Sequence, residues 1–100
     1  MSERGLVLIV DDDDSSVRKL RALLEKDGYV VDRATSGIPI LDAVVESRAN
    51  LVLLDTHLAQ ANPFGLLAEL KQSQLARDIP VIFMTTLDDA EARAKGLEAG

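Results

Sequence analysis

Four short apolar runs, each followed by a segment with helical spacing, limit what this chain can become. The runs are Leu6 to Val10, Tyr29 to Arg33, Leu51 to Leu54 closing on Asp55, and Val81 to Met84. Leu51 to Leu54 shows no polar alternation, which fits a strand covered on both faces, and Val81 to Met84 has the same character. The connections are too long for hairpins. Right-handed crossovers and one parallel sheet wound on both faces are therefore expected, an α/β doubly wound fold.

The intervening segments carry start and stop signals. Val17, Leu20, Leu23 and Leu24 recur at helical spacing, with Asp14 or Ser15 suited to cap the start and Gly28 to close the end. Asp32 and Arg33 give the second strand the charged look of a sheet edge. A second helix is expected from Ile38 to about Ser47, with Pro39 in its first turn. After Asp55, Thr56 to Phe64 reads as a loop containing Asn62 and Pro63, and a third helix is expected from Gly65 to near Gln74. Asp88 or Asp89 is placed to cap a last helix running through Ala99.

One hundred residues allow a single domain. Seventeen acidic against eleven basic residues give a formal charge of -6, which disfavours nucleic acid as a direct partner and suits a bound cation. Cysteine is absent, so disulfides and thiolate zinc sites are excluded and only oxygen-ligand metal sites remain. No apolar run approaches a membrane span, and Leu6 to Val10 is too short for a signal peptide. A cytoplasmic protein with no membrane partner is expected.

In a parallel doubly wound sheet the residues that follow each strand gather at one edge. Asp11 and Asp12 follow the first strand, Asp55 ends the third, and Thr85 and Thr86 follow the fourth. Three carboxylates brought within ~5 Å repel by about 3 kcal/mol per pair at an effective dielectric of 20. A hard divalent ion relieves that repulsion, and Mg²⁺ fits a few carboxylates better than a full calcium cage does. Beside it an Asp55 oxygen suits nucleophilic chemistry on a phosphoryl group, with Thr85 or Thr86 offering a hydroxyl. Blander roles stand beside these: Asp55 as a cap or turn residue, Asp13 and Asp14 as solvated loop and helix cap, His57 as a surface loop residue, Thr86 as strand-end packing.

Taken together, the stretches Leu8-Ile9-Val10-Asp11-Asp12-Asp13, Leu23-Leu24-Glu25-Lys26-Asp27-Gly28-Tyr29, Leu51-Val52-Leu53-Leu54-Asp55, Ile79-Pro80-Val81-Ile82-Phe83-Met84-Thr85 and Gly96-Leu97-Glu98-Ala99-Gly100 resemble the receiver domains of bacterial two-component response regulators. They occur in that family's order and at close to its spacing. The resemblance implies a flavodoxin-like sheet of order 2-1-3-4 within the chain, residues 1–100 forming a receiver domain that stops before the family's fifth strand and fifth helix. It implies Asp55 as phosphoacceptor, Asp12 as a direct Mg²⁺ ligand, Asp11 as one acting mostly through water, and the backbone carbonyl of His57 as a further ligand. Thr85 corresponds to the switch hydroxyl, and Thr86 stands beside it where access to the site is controlled. The implied partners are a histidine kinase or phosphotransfer protein and an output domain beyond Gly100. The implied role is that of a signalling switch in a phosphorelay rather than of an enzyme.

The chain departs from the family pattern at several points. Ala59 stands four residues after Asp55 where proline is usual, and Phe64-Gly65 arrives two residues later than the usual aspartate-glycine pair. Thr86 replaces a smaller residue, and the phosphate-pairing lysine of the fifth strand is not in these 100 residues. These departures motivate the alternative of a pseudo-receiver, a docking or dimerisation module without phosphoryl transfer. An open edge at Val81 to Met84 invites a homodimer. A metal-dependent hydrolase with an aspartate nucleophile is the weaker third reading, since Thr56-His57 follows Asp55 where such enzymes place a second aspartate.

Overall fold

The structure, a computed structural model, describes residues 5–84. Thr85, Thr86 and the last expected helix lie outside the described residues. Within them run β1 (Leu6–Val10), α1 (Asp14–Lys26), β2 (Val30–Ala34), α2 (Ile40–Ser47), β3 (Leu51–Asp55), α3 (Pro63–Gln72) and β4 (Val81–Met84). All strand pairs are parallel and the order is β2-β1-β3-β4. The expected doubly wound topology is the one observed.

Two apolar layers explain why. Leu8, Val10, Val52 and Leu54 point to the face covered by α2 and α3, where they meet Ile40, Val44 and Leu70. Val7 and Ile9 point to the opposite face, against Val17, Leu20 and Leu24 of α1, with Leu51 and Leu53 half-buried beside them. The central strands β1 and β3 thus need apolar residues at successive positions, which is why they read as unbroken runs. Each fully buried Val or Leu here contributes roughly 1.5–3 kcal/mol. In β4, Ile82 is 51% exposed while its neighbours are half-buried, so that run is apolar without being deeply buried.

Helix starts differ from the sequence expectation in three places. In α1 the cap is Asp13, whose carboxylate accepts from the Ser15 and Ser16 amides and from the Ser16 hydroxyl. In α2 the first turn begins at Ile40 with Pro39 as the cap residue. In α3 the helix begins at Pro63, because the Asn62 side chain accepts from the Phe64 and Gly65 amides and Pro63 takes the first helical position, where a missing N–H costs nothing. Asn62-Pro63 is a helix start rather than loop filler. Phe64 then reaches the Phe83 ring of β4, with centroids 5.2 Å apart. Gly28 closes α1 in the left-handed region at φ 94°, as a C-terminal glycine is expected to do.

Candidate functional site

Val10 and Leu54 are register partners on adjacent parallel strands, so the next residue of each, Asp11 and Asp55, emerges beside the other. Asp11 is 3% exposed; its amide donates to the Ala34 carbonyl at 3.1 Å and its Oδ1 accepts from the Asp13 amide at 2.9 Å. Asp55 is half-buried at the end of β3. Burial pushes the Asp55 carboxyl above the ordinary range, and the charge of Asp11 and a hydrogen bond between the two carboxyl groups push it further. A backbone hydrogen bond from His57 and the nearby His57 side chain oppose that rise. The end of β3 is tied to β4 by Thr56, whose amide and hydroxyl both donate to the Met84 carbonyl at 3.3 and 3.2 Å.

Asp12 turns elsewhere. Its Oδ1 accepts from the Ser36 amide at 2.7 Å, and its Oδ2 accepts from the Ser36 hydroxyl at 2.6 Å and the Ala59 amide at 2.8 Å. The Ser36 hydroxyl in turn accepts from the Gln60 amide at 3.0 Å. These bonds hold the Asp12 carboxyl below its usual range, the Ala59 amide being the largest cause and the Ser36 hydroxyl and amide following. One carboxylate at the end of β1 therefore binds both the β2–α2 loop and the β3–α3 loop.

Arg33, expected only as a charge on an edge strand, is a clasp. Its Nε and Nη2 donate to the Asp11 carbonyl at 3.1 and 3.0 Å, and its Nη1 pairs with the Asp14 carboxylate. The guanidinium thereby sets one positive group among the run of aspartates that follows β1.

Asp11 and Asp55 offer hard oxygen donors whose mutual repulsion a cation relieves, so this pair fits Mg²⁺. The expected meeting of three carboxylates is not what the structure shows. Among the described residues no three His, Cys, Asp or Glu side chains converge closely enough to hold a metal ion. The reason is local: Ser36 and Ala59 supply amide and hydroxyl donors that take both oxygens of Asp12. His57 is exposed, with its backbone bonded to Asp55. Sequence reading passed over Ser36 and the donor role of Ala59. The signal available was the position of Ala59, where a proline would carry no N–H to donate.

The family model described as "Response regulator receiver domain" matches residues 7–100. The response regulator PleD of Caulobacter vibrioides is 34% identical over 94% of this chain, which spans 21% of PleD. The response regulator MprA of Mycobacterium sp. strain KMS is 31% identical over 94% of the chain, which spans 40% of that relative. The non-phosphorylated receiver domain of HemR from Leptospira biflexa superimposes with a TM-score of 0.74 at 30% identity, over 97% of this chain and 77% of that one. The chain thus spans well under half the length of these curated relatives.

Proposed function

The chain belongs to the response regulator receiver domain family, and on that premise we propose that it accepts a phosphoryl group on Asp55 from a phosphohistidine of a histidine kinase or phosphotransfer protein. The observation that carries this reading is the Asp11–Asp55 pair: two carboxyl groups side by side at the strand ends, with Asp55 half-buried and its carboxyl raised by burial and by the charge of Asp11. Paired acids that oppose each other's ionisation suit a site that receives a metal and a phosphoryl group.

In the proposed reaction an Asp55 oxygen attacks phosphorus. The O–P bond forms as the P–N bond of the donor breaks, and the electron pair stays on the imidazole nitrogen, which takes up a proton from water as it leaves. Asp11, Asp12 and Asp55 would hold Mg²⁺, Asp12 on release from the Ser36 and Ala59 donors, with the His57 carbonyl as a further proposed protein ligand. Bound there, the ion supplies neutralisation of charge on the phosphoryl oxygens. Asp55 brings its own ionisable nucleophile, so no separate base is needed. Thr85 is proposed as the switch hydroxyl and Thr86 as the residue beside it that governs access. The role is that of a cytoplasmic signalling switch acting on an output domain or partner, not of a turnover enzyme. Among the described residues no helix is long and apolar enough to cross a membrane. Pairing of two copies along β4 is proposed as a further contact, supported by Ile82 standing 51% exposed on that strand.

The test is incubation with acetyl phosphate and Mg²⁺, borohydride trapping and mass spectrometry. Label on Asp55 that disappears in Asp55→Asn supports phosphoryl transfer. Label elsewhere, or label that survives the substitution, overturns the assignment, and absence of label from a protein that binds Mg²⁺ favours the docking-module alternative.

A further inference from the structure

At this edge the β2–α2 and β3–α3 loops meet on one carboxylate and one hydroxyl. Gln60 donates from its amide to the Ser36 hydroxyl, Ser36 donates from that hydroxyl to Asp12, and the Ser36 and Ala59 amides complete the set. Ser36 is 8% exposed, so its hydroxyl sits inside the seam rather than on the surface. Each of these bonds has a charged acceptor or feeds one that does, which makes them stronger than neutral pairs. Asp12 stands next in sequence to Asp11 yet outside the Asp11–Asp55 pair.

We propose that Ser36 and the Ala59 amide are positioning groups that latch Asp12 across the two loops, and that this latch weakens cation binding at Asp11–Asp55 because Asp12 serves either the loops or the cation. The proposal rests on the Mg²⁺ part of the functional reading above and adds the residues that set the affinity. Its physical form is a competition. When the binding-competent arrangement is only a fraction of the population, the apparent dissociation constant rises by the inverse of that fraction. Removing a hydrogen bond made only in the latched arrangement raises the competent fraction and tightens binding. A cation that recruits Asp12 also frees the Ser36 and Ala59 amides, so cation binding at the strand ends loosens the loop that leads into α3.

Isothermal titration with Mg²⁺ tests this on the wild-type chain, Ser36→Ala, Ser36→Thr and Ala59→Pro. Ser36→Ala removes one hydroxyl bond to a charged acceptor and is expected to lower the Mg²⁺ dissociation constant by about tenfold, the size such a bond carries. Ser36→Thr keeps the hydroxyl and is expected to bind like the wild type. Ala59→Pro deletes the amide donor by a different route and is expected to tighten binding in the same direction. Hydrogen exchange on the wild type provides the second readout: the Ser36 and Ala59 amides should exchange faster with Mg²⁺ than without it. A merely structural role for Ser36 lowers stability and leaves the affinity unchanged or poorer, and that result in a folded Ser36→Ala overturns the latch. Greater protection of the Ser36 and Ala59 amides on adding Mg²⁺ overturns it as well, as does absence of binding in all four proteins. Failure of Asp55 to take label while these affinities shift as expected rejects the phosphoryl-transfer reading and leaves the latch standing.

Discussion

Asp11 and Asp55 meet side by side at the ends of adjacent parallel strands, close enough for one carboxyl to hydrogen-bond the other. The contact follows from the register that pairs Val10 with Leu54 and from the burial of everything beneath it. Two acids so placed oppose each other's ionisation, and the fold tolerates this at the edge where ligands bind in such sheets.

Asp55→Asn is therefore expected to stabilise the protein at neutral pH. The folded-state pKa of Asp55 is raised, so its proton stabilises the native state at low pH, and that contribution is lost as pH rises through the raised value. Removing the charge restores it. After solvent screening the gain is on the order of 1 kcal/mol, or about 4–8 °C in melting temperature for a domain of this size. Melts of both proteins from pH 3 to 8 check it: the advantage of the Asn variant should fade below the ordinary Asp value of 3.8, where the carboxyl is protonated in either state. An advantage independent of pH would mean that packing, not charge, is responsible.

Mg²⁺ should act in the same direction for the same reason. At 100 times its dissociation constant a ligand that binds only the folded state adds about 2.7 kcal/mol. Calorimetry of the wild type and Asp11→Asn, each with and without Mg²⁺, should show a rise confined to the wild type. A rise of equal size in both would place the ion elsewhere.

The start of α3 offers a test unconnected with the acids. Asn62 accepts from two amides of the first turn, and Pro63 is already set in helical geometry behind it. Asn62→Ala should cost about 1 kcal/mol in urea unfolding, and Asn62→Asp should cost little, since Asp caps as well as Asn. Equal losses for the two would show that the cap bond is not what the position supplies.

Much of this edge was legible before the structure, and the limits are instructive. A parallel sheet and the arrival of Asp11, Asp12 and Asp55 at one end follow from alternating apolar runs and helical segments, because such a sheet sends every strand end to the same side, whereas the strand order follows only from the family resemblance. The direction taken by Asp12 does not follow, since it depends on donors from two loops separated from it by 24 and 47 positions. Asn62-Pro63 was readable either as a turn or as a cap with its first helical residue, and only the side-chain bonds decide between them. Arg33 was visible as an edge charge, but its target is a backbone carbonyl, which no pattern of side chains announces.

That clasp supplies the last expectation. Arg33 spans from β2 to the loop after β1, giving two donors to the Asp11 carbonyl and a third to Asp14, so it fixes the backbone from which both Asp11 and Asp12 project. The ion pair with exposed Asp14 adds little by itself. The paired donation to a part-buried carbonyl matters more, because its loss leaves that oxygen without its partners, a cost of about 1–3 kcal/mol. Arg33→Leu keeps much of the apolar stem and loses every donor, and is expected to fall by that amount in urea unfolding. Arg33→Lys keeps the charge but cannot match the planar fork, so it should recover only part of the loss. Asp14→Ala should be close to neutral. If Arg33→Lys equals the wild type while Asp14→Ala matches the loss in Arg33→Leu, the charge pair and not the carbonyl clasp is what holds the loop after β1.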